Sequence, residues 1–180
     1  MTNKEFFISS WEKDFPVTAK AFRSLPDDKD KLNFHHHAKF RSPWEIVNHI
    51  GPHAREISQA LSEGKMDLVN EGKFDLAGPS IYKSCEDAAK GVEEYSSKLI
   101  ELAKKCDDAS WESKIIPIYW GAMKMFEAPL MNACWMLFYD TIHHRGQLTS
   151  YYRAIGSTQP SLMGPTTEEE EAMFAKAASN

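Results

Sequence analysis

Asp140 and His144 stand four residues apart in the segment Tyr139-Asp140-Thr141-Ile142-His143-His144-Arg145-Gly146-Gln147-Leu148. On a helix this spacing puts a carboxylate and an imidazole on one face, one turn apart. Such a pair can share a divalent metal ion, and it can equally form a plain Asp–His contact. The residues just before it are strongly apolar: Leu130, Met131, Ala133, Trp135, Met136, Leu137 and Phe138. An Asp and a His buried there would need partners, because unpaired burial is costly. Two side chains hold a metal poorly, so a third ligand must come from another element. His49 and His53 are the candidates; they are four apart and share a face with Glu56. Spacing does not choose between them, since Pro52 lies between and can turn them apart. His143 is rotated by about 100° from His144 and is expected beside the ligand set or at the surface.

Four segments with helical periodicity must position these residues. They are expected near 4–24, 42–62, 84–106 and 128–155. Pro16 should kink or break the first near Phe15. Ser42-Pro43-Trp44-Glu45 is a sharp start for the second: an N-cap Ser, Pro in the first turn and Glu to close a capping box. Gly51-Pro52 should bend that helix. The stretch from Lys65 to Tyr82 reads as irregular, and Trp111 to Tyr119 as short extended pieces. Gly156 stops the long last helix, and Thr166 to Ala178 forms a short final one. The loop from Pro26 to Arg41 carries His35-His36-His37, expected to be structural or to face solvent. The pattern predicts one domain over 1–180, an all-α four-helix bundle with short extended segments before the last long helix. Bundles of this kind build metal sites from side chains on facing helices.

Composition narrows the partners. The 180 residues carry a formal charge of −5 and are 42% hydrophobic, enough for a sizeable core. The acidic balance argues against nucleic acid, which needs a concentrated basic surface. Cys85, Cys106 and Cys134 form no CxxC pair, which fits free thiols in a reducing cytosol. The N-terminal MTNKEFFISSWEKDF lacks a long apolar run, and no apolar stretch approaches a membrane span. A cytoplasmic protein without membrane partners is therefore expected.

Two strings go further. Ser42-Pro43-Trp44-Glu45-Ile46-Val47-Asn48-His49-Ile50 resembles the second-helix signature of the DinB-like superfamily. His143-His144-Arg145-Gly146-Gln147-Leu148 is similar to its H-x-x-H-H-R-G-Q-L motif. The resemblance spans nearly the whole chain and implies a DinB/YfiT-like bundle. It implies a metal triad of one His from the second helix and two positions on the fourth: His49, position 140 and His144. Here position 140 is Asp, where the superfamily has His. Two His and one carboxylate suit zinc, iron or manganese, and the superfamily's usual ions are zinc or nickel.

The resemblance further implies a metal-dependent enzyme acting on a small-molecule substrate, as a thiol S-transferase with a low-molecular-weight thiol or as a hydrolase, and a homodimer. The alternative is a non-catalytic metal-binding or stress-associated bundle with a degenerate site. His53, His143, Arg145, Gln147 and Trp120 are expected around the triad or its pocket, which should lie at one end of the bundle. Arg145 should pair with Glu45 or Glu12, and Gly146 should admit a close helix. Trp44 and Trp135 are core by default. No catalytic base is identifiable from the sequence.

Overall fold

The computed structural model describes residues 1–68 and 81–178. Most of the stretch expected to be irregular, 69–80, lies outside the described residues. Helix α1 (Asn3–Arg23) opens on a capping box, with Thr2 accepting from the Glu5 N–H and Glu5 accepting from the Thr2 N–H. Of the kink or break expected at Pro16, the break does not occur, and one helix runs through it. Burial of Phe7, Trp11, Ala19 and Phe22 on both sides of Pro16 outweighs the one backbone bond it removes.

A single turn, α2 (Lys29–Leu32), leads to α3 (Pro43–Ile50), which starts on the Ser42/Glu45 capping box read from the sequence. The chain turns at Gly51-Pro52 and continues as α4 (His53–Glu63), as the Gly-Pro pair predicts. Gly51 is required there, since a Cβ would lie 2.7 Å from a Tyr82 ring carbon and from the Val47 carbonyl oxygen. Helix α5 (Cys85–Lys105) is capped by Ser84, and α6 (Asp108–Ser113) by Asp107.

The extended residues do more than expected. Strands β1 (Met66–Asp67), β2 (Ile115–Trp120) and β3 (Met123–Pro129) form a sheet in the order β1-β2-β3, so the fold is mostly helical and not all-α. β2 and β3 are antiparallel, and β1 runs parallel to β2 with Met66 opposite Ile118. Ile116 and Ile118, two apart, both point into the core, as the strand period requires. Helix α7 (Leu130–Ala154) follows, then α8 (Thr167–Ala178), none of whose residues is buried.

The helices pack as a bundle: α1 and α4 on α5, and α3, α4 and α1 on α7. Their apolar residues form two clusters. One contains Phe7, Trp11, Ile57, Leu99, Leu130 and Phe138. The other contains Phe22, Ile46, Ile50, Ala88, Leu148 and Tyr152. On α1 the buried Asp14 and Thr18 fall between these two sets, and on α7 so do Thr141, His144 and Arg145. A polar belt thus crosses the middle of the bundle. Arg145 belongs to it. Its Nη1 donates to Asp14 Oδ2 at 2.6 Å and to Thr18 Oγ1 at 2.8 Å.

The expected partners of Arg145 are engaged elsewhere, Glu12 with Lys104 and Glu45 with the Ser42 N–H. Gly146 is exposed, and among the described residues a Cβ there would meet nothing within 4 Å and no helix packs on it. Trp44 and Trp135 are partly buried against the clusters. Among the described residues, no helix is long and apolar enough to cross a membrane.

Candidate metal centre

His49, in the last turn of α3, meets Asp140 and His144, one turn apart on α7. His49 Nε2 lies 3.0 Å from Asp140 Oδ2, and His144 Nε2 lies 3.4 Å from Asp140 Oδ1. The two imidazoles stand nearly perpendicular, at 88°, with centroids 4.6 Å apart. One ligand atom from each of the three residues lies within 4.8 Å of the others. Ligands at about 2.0–2.2 Å from one ion sit roughly 3–3.5 Å apart, so the donor set fits a divalent metal with little movement. The site lies in the polar belt between the two apolar clusters, and not at one end of the bundle as the sequence suggested. The physical reason is that two long apolar faces must be buried on either side of it.

The Gly51-Pro52 turn separates the two histidines that spacing could not tell apart. His53 opens α4 and is buried. Its Nδ1 lies 2.9 Å from Thr141 Oγ1, whose own hydroxyl donates to the Leu137 carbonyl at 2.8 Å. The hydrogen-bond network therefore assigns the proton to His53 Nδ1. His53 Nε2 rests 3.6 Å from Asp140 Oδ2, outside the three-residue set but against it. Burial first, then the neighbouring His49, pushes the His53 pKa down to about 3, so it is neutral. For Asp140, burial favours the neutral acid, but hydrogen bonds from His144 and His49 outweigh it. They hold the carboxyl well below the usual carboxylate range.

Gln147 has a definite task. Its Oε1 lies 2.7 Å from His144 Nδ1, and its amide nitrogen lies 3.0 Å from His143 Nε2. An amide oxygen only accepts, so this contact puts a proton on His144 Nδ1 and makes Nε2, which faces Asp140, the nitrogen that would hold a metal. Partners of this kind fix ring orientation and ligand basicity. His143 is exposed and lines the cavity beside the triad. Trp120, expected in the pocket, closes β2 opposite Met123 and is not among the residues lining that cavity. Strict period 2 would put Trp120 on the face of Ile116 and Ile118, but a register irregularity between Ile118 and Tyr119 interrupts that alternation before the strand ends.

The cavity measures about 530 Å³ and is bounded by His49, Asp140, Glu56, Leu68, Met136 and Tyr139. Glu56 is the residue to which sequence reasoning gave no role, although its spacing from His49 and His53 put it on their face. It is buried, and its Oε2 has no hydrogen-bond partner among the described residues. Burial, reinforced by Asp67 and Asp140 and opposed by Arg55, pushes its pKa up to about 8. Glu56 is therefore a carboxylic acid at neutral pH, positioned to give or take a proton within the cavity.

A stability prediction follows from its sign. The folded state holds this proton between roughly pH 4.5 and 8 where the unfolded chain has lost it, so stability falls as pH rises through that window. Glu56→Gln cannot titrate. In metal-free protein it should remove a loss on the order of a few kcal/mol and be the more stable form at pH 8. Urea unfolding across the pH range checks this, and parallel curves for the two proteins would refute it.

Comparison with curated proteins finds no match. Solved structures do match. A DinB-like protein from Bacillus subtilis is 17% identical with a TM-score of 0.60, covering 88% of this chain and 99% of that one. A DinB-like protein from Bacillus cereus is 21% identical at a TM-score of 0.60, covering 87% and 95%. YfiT from Bacillus subtilis, described as a probable metal-dependent hydrolase with an unusual four-helix bundle topology, is 14% identical at 0.60, covering 86% and 89%. At these identities the likeness concerns the fold. The sequence profile of the DinB family matches residues 1–176, almost the whole chain including both helices that carry the triad, and with it this protein belongs to the DinB family.

Proposed function

We propose that the protein is a metal-dependent enzyme acting on a small molecule, as a hydrolase or a thiol S-transferase. The observation that carries this reading is the convergence of His49, Asp140 and His144 beside an open, largely apolar cavity whose wall includes His49 and Asp140. Three protein ligands leave a coordination position for substrate, the arrangement of catalytic and not of structural sites. Zinc or nickel, with iron or manganese as the other candidates, would supply Lewis acidity toward a water or thiol. The relative described as a probable metal-dependent hydrolase supports the hydrolytic branch.

The chain's own residues divide the rest of the work. Gln147 and Asp140 orient the two imidazoles. Leu68, Met136 and Tyr139 exclude water from the electrophile. The nucleophile forms its new bond to the electrophilic atom while it still holds its proton. The bond to the leaving group breaks, and Glu56 hands that group a proton. The Glu56 carboxylate then recovers the proton that the nucleophile released.

A cytoplasmic location belongs to the same reading and is supported by the three free cysteines. So does a homodimer, supported by the exposed Met123, Met125 and Phe126 on β3; sedimentation at 20.5 kDa would remove that part. The test of the function is direct. Protein purified without added metal is analysed for metal, then assayed for conjugation of monochlorobimane with several small thiols and for ester hydrolysis. One activity that chelation abolishes and zinc or nickel restores is expected. Bound metal with neither activity would instead favour a non-catalytic metal-binding protein.

A further inference from the structure

Arg41 ends the loop that carries His35-His36-His37, one residue before the Ser42 cap of α3. Its backbone is fixed from two sides. The Tyr151 hydroxyl of α7 donates to the Arg41 carbonyl at 2.6 Å, and Ser42 begins the helix that carries His49. The side chain then reaches the triad, with Nη1 3.5 Å from His144 Nε2, the nitrogen that faces Asp140. A guanidinium and a divalent ion so close repel each other in a partly buried setting. An anion between them converts that repulsion into two attractions.

Space for such an anion exists. A second cavity of about 650 Å³ lies on the far side of His144 and is lined by Arg41, Lys39, His36, Phe40, Ile46 and Tyr151. Its character is basic. The carboxylate in its lining, Glu45, spends Oε2 on the Ser42 N–H at 2.7 Å. Phe40, Ile46 and the Tyr151 ring, against which His36 stacks at 4.2 Å, offer apolar walls to a carbon skeleton. His35, His36 and His37 are exposed, as expected, and the loop that carries them also forms one wall of this cavity.

We propose that this cavity is the subsite for a carboxylate-bearing small molecule, with Arg41 as the group that anchors the carboxylate beside the metal position. The inference rests on the metal-dependent reading above and specifies its substrate class. A planar guanidinium presents a fork that matches a carboxylate. Phosphate can meet the same fork, but the apolar walls of Phe40, Ile46 and Tyr151 favour an anion that carries a carbon skeleton.

Succinate is titrated into zinc-loaded protein and followed by calorimetry at low ionic strength, with succinamide as the uncharged control and inorganic phosphate as the competing anion. Wild-type protein should bind succinate in preference to both. Arg41→Gln should weaken succinate by about tenfold or more while zinc still binds. Arg41→Lys, which keeps the charge and loses the fork, should fall between them and carries the comparison if the Gln variant does not fold. Succinate binding that is absent, or equal in wild type and variants, overturns the subsite; so does an Arg41-dependent preference for phosphate. Zinc that fails to bind while succinate still binds through Arg41 strikes the metal reading and leaves the subsite standing. Normal zinc binding without Arg41-dependent succinate binding strikes the subsite alone.

Discussion

His144→Ala is expected to weaken zinc binding by well over 100-fold, measured by competition with a chromophoric chelator. The expectation comes from the ligand geometry. His144 supplies one of three donor atoms, and Asp140 Oδ1 is held 3.4 Å from it by their shared helix turn. Losing a hydrogen-bonding partner of a ligand typically costs 10–100-fold in metal affinity, and losing the ligand itself costs more. Gln147→Ala gives the internal scale. It removes only the acceptor at His144 Nδ1, 2.7 Å away, and should fall within that smaller range. His53→Ala should also leave most of the affinity, because its Nδ1 is spent on Thr141 and it lies outside the triad. If His53→Ala lost zinc binding while His144→Ala kept it, the ligand set would be wrong.

The second large effect is on stability and lies outside the site. Asp14→Ala should destabilise the protein by about 3–5 kcal/mol, because it leaves the Arg145 guanidinium buried without its carboxylate. Both side chains are almost fully enclosed, and the ion pair ties α1 to α7 across the bundle at 2.6 Å. For a chain of this size such a loss lowers the melting temperature by roughly 10 °C. The pair itself is not a large source of stability, because two charges lose their hydration when buried together. Replacing both at once, Asp14→Leu with Arg145→Met, should therefore cost far less than the single change. A double variant as unstable as Asp14→Ala would show that the loss comes from packing and not from the stranded charge. His144 neighbours Arg145 on α7, so a disordered Arg145 should also loosen the metal site.

Much of this protein was legible before any coordinate. The Ser42/Glu45 capping box, the Gly51-Pro52 turn and the Gly156 stop are local devices. Their physics involves a few neighbouring backbone groups, and each appears where the sequence puts it. The i, i+4 pairing of Asp140 and His144 is likewise a property of any helix. The family strings then extended the pair to His49.

Other features depended on which faces meet. The sequence could not choose His49 over His53 by spacing, and the turn between them settles it by aiming one at Asp140 and burying the other against Thr141. Arg145 was assigned to Glu12 or Glu45 because charge complementarity alone ignores direction, whereas α1 presents Asp14 to α7 and turns Glu12 toward Lys104. The sheet needed a partner for β2 that only the folded chain brings alongside. Glu56 and Arg41 are the clearest cases. As residues they are an acid on a helix and a base in a loop. Enclosure between α4 and α7 makes the first a neutral acid at pH 7, and a backbone pinned by Tyr151 sets the second 3.5 Å from His144. Local sequence determines which residues can share a helix turn. Desolvation and through-space distance, which determine what those residues can do, arise only when separate elements pack.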